Sequence, residues 1–251
     1  IPRVYEVYLN DYIIVMEDFG NETFDKIFHK NDIYNLLKLA VDNLIVIQNS
    51  TINDNLIKLE KYKYNDLKKE ISEFVDFYVP YKKISNFPVE KFYSYWEINF
   101  NNCNFEFTGF IHKDFEFINL IYLKKNNLHL KCGIIDFQSA FLGFKGWDLF
   151  SILENSRINF TREYNEELMK YFYDNITINI DFKTFRNQYY LLNLARQSRL
   201  IGRWVQLFNK SNKGDKKYLN YIKSTEERIN TSLANIQDSK LKEIYEKVAF
   251  I

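Results

Sequence analysis

The run Gly109–Gln138, GFIHKDFEFINLIYLKKNNLHLKCGIIDFQ, gathers two histidines, two aspartates and three asparagines between apolar stretches that suit a buried sheet. Leu120–Leu123 and Leu128–Ile135 read as short β runs joined by Lys124, Lys125, Asn126 and Asn127, a polar tetrad of turn-forming type. In an antiparallel pair, the residue before the first strand and the residue after the second lie at the same end. Pairing across this turn sets Asp136 opposite about Phe115, beside Asp114, so Asp114, Asn119 and Asp136 converge. Two carboxylates and a carboxamide oxygen are the hard ligands Mg²⁺ takes when it also carries phosphate oxygens and waters. A carboxylate left off the metal can accept the proton of a hydroxyl that attacks phosphorus. The chemistry outlined is phosphoryl transfer.

The elements that must hold these residues follow from pattern. Val4–Leu9 and Tyr12–Met16 alternate as two strands around an Asn10-Asp11 turn, with a polar exit at Glu17-Asp18 and Gly20. From Asn31 the apolar residues Ile33, Leu36, Leu37, Ala40, Val41, Leu44 and Ile45 recur at helical spacing, and Asn31 or Asp32 can cap that helix. A second amphipathic helix presents Leu67, Ile71, Phe74, Val75 and Tyr78, and Pro80 is expected to stop it. Pro88 suits the first turn of a third, through Phe92, Tyr95 and Trp96. Beyond Asp148 the chain reads as helical: Leu149–Glu154, Arg162–Tyr173, a long helix over Asp181–Asn209, and two more near the C-terminus. Asp148 itself is expected to cap its helix, with contact to the catalytic segment as the alternative.

Composition narrows the class. The 251 residues are 46% hydrophobic, enough for one large or two modest domains, and 34 basic against 33 acidic residues give a formal charge of +1. The charges are interspersed, which argues against nucleic acid or a membrane surface as partner. No apolar run approaches the ~20 residues that span a bilayer. Two cysteines, Cys103 and Cys132, suit a reducing cytoplasm. Together with His112 and His129 they invite a zinc reading, but no C-x-x-C pair occurs, and His129 and Cys132 on one strand point to opposite faces.

HKDFEFIN has the H-x-D-x-x-x-x-N form of the kinase catalytic loop, and IIDFQ occupies the place of its metal-binding D-F-G. The following SAFLGFKGWDLFSIL resembles the aminoglycoside phosphotransferase branch of the protein kinase-like fold. Within that branch the resemblance is nearest to bacterial kinases that phosphorylate the anomeric hydroxyl of N-acetylmuramate and N-acetylglucosamine in cell-wall recycling. YIIVMEDFGNETF resembles their strand and hinge, and LARQSRLIGRWVQL their late helix, so the resemblance spans essentially the whole chain.

The resemblance implies an α+β fold: residues 1–20 as a remnant of the small lobe with the hinge, and 21–251 as a helical large lobe. It implies ATP and Mg²⁺ as cofactors and a small molecule, an amino sugar or related alcohol, as acceptor. Asp114 would be the catalytic base, with His112 bracing its loop and Lys113 standing where the family has Arg or Gly. Asn119 and Asp136 would hold the metal, and backbone groups of Glu17, Asp18 and Phe19 the adenine edge. Arg196, Arg199 and Arg203 form a stripe at i, i+3 and i+7, either a solvated face or, for Arg196 and Arg199, a contact to a substrate carboxylate. No G-x-G-x-x-G occurs, so the phosphate-covering part is expected to precede Ile1. The rival expectations are a truncated or inactive kinase-like binding protein, or a kinase for an aminoglycoside, choline or a homoserine-like alcohol. Oligomeric state is not legible at this level.

Overall fold

A computed structural model describes residues 1–50, 58–123, 132–158, 160–211 and 215–248. Strands β1 (Val4–Tyr8) and β2 (Ile13–Met16) form the expected antiparallel hairpin around a 3-10 turn at Leu9–Asp11. Their β-branched and aromatic residues favour strands, and every residue of both strands is exposed.

A short helix, α1 (Phe24–Ile27), follows, anchored by the buried Phe24. Helix α2 (Ile33–Asn49) is capped by Asp32, whose carboxylate accepts from the Tyr34 amide at 3.0 Å. The expected face of Leu36, Leu37, Ala40, Val41 and Leu44 is buried. Helix α3 (Tyr64–Glu73) runs through a π turn, Phe74–Tyr78, into α4 (Val79–Tyr81). Pro80 therefore does not end the helix where the sequence suggests. The Val79 amide reaches back five residues to the Phe74 carbonyl, which widens the helix ahead of the proline ring and relieves its clash with the preceding turn. Helix α5 (Val89–Asn102) begins just after Pro88.

Two antiparallel ladders form the middle of the chain. Strand β3 (Phe107–Ile111) pairs with β6 (Phe141–Phe144), and β4 (Leu120–Tyr122) with β5 (Cys132–Ile134). The β4–β5 pair realises the expected hairpin; its expected turn at 124–127 and the start of the second run lie outside the described residues. The β3–β6 pair goes beyond the sequence reading.

Around these ladders pack α6 (Trp147–Leu153), α7 (Asn165–Asn175), α8 (Phe182–Lys210), α9 (Lys216–Asn235) and α10 (Ser239–Glu246), with α8 against α9, α3 and α6. At 1.5 Å per residue α8 is about 44 Å long, and it is buried on all sides from Gln188 to Ser198, as a central helix must be. Gly202 permits its closest crossing: a Cβ there would lie 2.1 Å from the Glu73 carbonyl oxygen, at the junction of α3 and the π turn. The architecture is α+β, mainly helical, as expected.

Candidate functional site

The nesting of the two ladders is what builds the site. Residues 112–119 leave β3 for β4, and residues 135–140 leave β5 for β6, so both segments bridge the same gap between the same paired ladders. Two loops with shared anchors must lie side by side. The Ile135 amide donates to the Asn119 carbonyl at 3.2 Å, and a ring nitrogen of His112, Nε2, lies 2.9 Å from the Ile135 carbonyl. Because a carbonyl only accepts, that nitrogen carries the proton. The Leu120–Ile134 register sets residue 136 level with 118, not 115 as the sequence suggested. Two tight turns shape the 112–119 segment: the Glu116 amide bonds the Asp114 carbonyl at 2.9 Å, and the Asn119 amide the Glu116 carbonyl at 2.8 Å.

Each candidate residue has a distinct placement. The Asn119 Nδ2 donates to the Asp114 carbonyl at 2.8 Å, which leaves its carboxamide oxygen for another partner. Asp114 is half-buried and Asp136 exposed. Burial lowers the His112 imidazole below its usual range, and the charges of Asp114 and Asp136 pull it the other way, so both carboxylates lie within electrostatic reach of the ring. Lys113 and Asp136 adopt left-handed backbone, φ 75° and 71°, a conformation that costs a non-glycine residue ~1–2 kcal/mol. Such strain persists only where neighbours impose it.

At Lys113 the neighbour is Asp148. Its Oδ2 accepts from the His112 amide at 2.7 Å and its Oδ1 from the Lys113 amide at 3.0 Å. Asp148 is thus not the cap of α6, a position held by Gly146; it clamps residues 112 and 113 from the helix's first turn. Fully buried, its carboxyl is pushed up to about 7, with the two amide bonds opposing the shift.

The Glu17–Phe19 segment joins the same assembly. Gly133 of β5 approaches the Phe19 ring so closely that a Cβ there would lie 2.3 Å from it. The Tyr122 amide of β4 donates to the Glu22 carbonyl at 2.9 Å. The Asp18 carboxylate accepts from the Gly20 amide at 2.7 Å, and Glu17 Oε2 from the Arg3 amide at 3.2 Å.

The arginine stripe runs from a buried end at Arg196 to an exposed end at Arg203. Arg196 is 2% exposed and donates to Glu116 Oε1, within the 112–119 segment, at 2.9 Å. Arg199 is half-buried, and Arg203 pairs with Glu73 at 2.8 Å. The sequence reading passed over Glu116, although a carboxylate between Phe115 and Phe117 was a usable signal of a buried charge. It also passed over Arg157, which shares Glu116 with Arg196.

Among the described residues no cluster of three His, Cys, Asp or Glu side chains has metal-binding geometry, and Cys103 and Cys132 are free thiols. His129 of the zinc reading lies outside the described residues. A divalent ion carried on phosphates needs only one or two carboxylates from the protein, and the oxygens of Asp136 and Asn119 fit that donor set. Among the described residues no helix is long and apolar enough to cross a membrane.

No family model matches the sequence, and a search of curated proteins finds no match. Solved structures do match. An ethanolamine kinase of Plasmodium vivax superposes with a TM-score of 0.55 at 13% identity, over 92% of this chain and 66% of that one. A spectinomycin phosphotransferase, in complex with ADP and spectinomycin, has a TM-score of 0.48 at 16% identity, over 99% of this chain and 74% of that one. The chain has the protein kinase-like fold, and it spans about two thirds of the length of the ethanolamine kinase.

Proposed function

We propose that the protein is an ATP-dependent phosphotransferase that moves the γ-phosphate to a hydroxyl of a small molecule. The observation that carries this reading is the side-by-side placement of residues 112–119 and 135–140, which brings Asp114, Asn119 and Asp136 to one edge of paired ladders. In this reading Asp114 orients the acceptor hydroxyl and takes its proton as the oxygen attacks phosphorus. Asp136 and the Asn119 carboxamide oxygen would hold Mg²⁺, which would offset charge on the phosphate oxygens. His112 braces the loop through Ile135, and Lys113 follows it into the Asp148 clamp. Backbone groups of Glu17, Asp18 and Phe19 meet the adenine edge, residues 1–20 represent the small lobe with the hinge, and 21–251 the large lobe. Arg196 and Arg199 act on the acceptor from below, Arg196 through Glu116.

The acceptor we propose is an amino sugar phosphorylated on its anomeric hydroxyl, as HKDFEFIN, IIDFQ and the LARQSRLIGRWVQL helix suggest by resemblance. Free Cys103 and Cys132 suit a cytoplasmic setting. The test is ADP release by the natural full-length chain with Mg²⁺ and ATP, across amino sugars, aminoglycosides and amino alcohols. Acceptor-dependent release that stops with EDTA supports the reading. Release that ignores every acceptor contradicts it.

A further inference from the structure

The catalytic segment carries a second charged cluster, apart from Asp114, Asn119 and Asp136. Glu116 is buried, and both of its oxygens are engaged: Oε1 by Arg196 Nη2 at 2.9 Å and Oε2 by Arg157 Nη1. Two guanidinium groups on one carboxylate leave the cluster net positive, and Arg199 adds to the field around Arg196.

The two arginines differ in access. Arg196 lies beneath the loop with its side chain 2% exposed, whereas the Arg157 side chain is 41% exposed. Arg157 is also held in place. Its guanidinium lies 5.2 Å from the Trp204 ring centroid, Glu116 fixes one end, and its amide donates to Asn155 Oδ1 at 2.8 Å. Only Nη1 is used, so the parallel Nε and Nη2 fork has no partner among the described residues. That fork is the edge that takes a carboxylate with two parallel hydrogen bonds.

Arg157 and Tyr221 are common walls of two cavities, of about 430 and 470 Å³, within the range that holds small molecules. The first is floored by Glu116, Phe117 and Ile118 of the catalytic segment itself. Each has a polar atom in its lining residues that is buried without a partner, Asp25 Oδ1 in the first and Ser156 Oγ in the second. A buried polar atom without a partner costs about 1–3 kcal/mol, which a ligand donor or acceptor would offset. Both oxygens of Glu116 are already engaged, so the charged groups left in this cavity are the Arg157 fork for an anion and the Asp25 carboxylate for a hydroxyl donor.

We infer that this pocket receives a small hydroxylated carboxylic acid, with its carboxylate on Arg157 and a hydroxyl donating to Asp25. The inference deepens the phosphotransferase reading by naming its acceptor class, and it rests on that reading only for the pocket's being the acceptor site. Arg157 is then the specificity-determining contact, and Glu116 and Arg196 are positioning residues.

The test is calorimetric titration of the chain with matched pairs that differ by the acid group: N-acetylmuramate with N-acetylglucosamine, and glycerate with glycerol. At least one acid is expected to bind about tenfold or more tighter than its neutral partner. In Arg157→Met, which keeps an apolar stem over Trp204, that preference is expected to vanish while the neutral partner binds as before. If Arg157→Met does not fold, Arg157→Lys keeps the charge without the fork and is expected to lose most of the preference. Equal binding of acid and neutral partner, or a preference that survives both substitutions, overturns the inference. ADP release by the natural full-length chain with the bound acid is scored separately: binding that depends on Arg157 without phosphorylation upholds the pocket and overturns its being the acceptor site, whereas the phosphotransferase reading falls only with ADP release that ignores every acceptor.

Discussion

Replacing Asp148 by alanine tests how the segment that carries Asp114 is held. The carboxylate is the acceptor for the His112 and Lys113 amides, at 2.7 and 3.0 Å. Without it two N–H groups at a buried site lose their partner, at about 1–3 kcal/mol each, so the expected loss of stability at the acidic end is about 2–6 kcal/mol. The loss depends on pH with a definite sign. Burial raises the folded carboxyl from 3.8 to about 7, so between these values the folded protein binds more protons than the unfolded chain. The stabilisation is fully present below the unfolded pKa and is lost as pH rises through the folded one. Across that window the gap between wild type and Asp148→Ala should shrink by about 4 kcal/mol, from the energy equivalent of a pKa shift. The assay is urea unfolding followed by tryptophan fluorescence at pH 4.5, 6 and 7.5. A helix-capping aspartate would give the opposite slope, since its carboxylate is stabilised in the folded state and its pKa depressed. A gap that widens with pH, or one below 1 kcal/mol at pH 4.5, refutes the clamp.

Two further substitutions probe close approaches. Gly202→Ala places a Cβ 2.1 Å from the Glu73 carbonyl oxygen, and because backbone cannot step aside cheaply, a loss of at least ~1–3 kcal/mol is expected in the same unfolding assay. Gly133→Ala places a Cβ 2.3 Å from the Phe19 ring, which must swing away. The expected outcome is a KM for ATP raised about fivefold or more with kcat for saturating acceptor little changed, read by initial rates; an unchanged KM would separate Phe19 from nucleotide binding.

What the sequence made legible was local. The periodicity of α2 and the spacing within HKDFEFIN depend on neighbours a few residues away, and the structure bears out the helix and the β4–β5 pairing. The β3–β6 ladder was hidden because Phe107–Ile111 and Phe141–Phe144 are short, each carries a glycine, and they pair over a long separation that no local pattern reports. Asp148 sits where a cap is common, and only the tertiary fold brings it to amides 35 and 36 residues earlier. The Arg196, Arg199 and Arg203 stripe was left open between a solvated face and a substrate contact, because helical spacing alone does not say which turns of a helix are buried. Helix α8 is enclosed on all sides from Gln188 to Ser198, so Arg196 needs Glu116 as its counter-charge, while Arg203 lies in the exposed part. The π turn at Phe74–Tyr78 has no propensity signal, and it moved the effect of Pro80.

The central claim is that Asp114, Asn119 and Asp136 form one phosphoryl-transfer site. Its most direct test compares acceptor-dependent ADP release by the natural full-length protein and by Asp114→Ala, with unfolding curves of both to establish that the fold is kept. Removal of the base is expected to cut kcat by about 10²–10⁴-fold, the usual contribution of a positioned proton acceptor, without loss of the folded state. Turnover by Asp114→Ala within a few-fold of wild type would contradict the account.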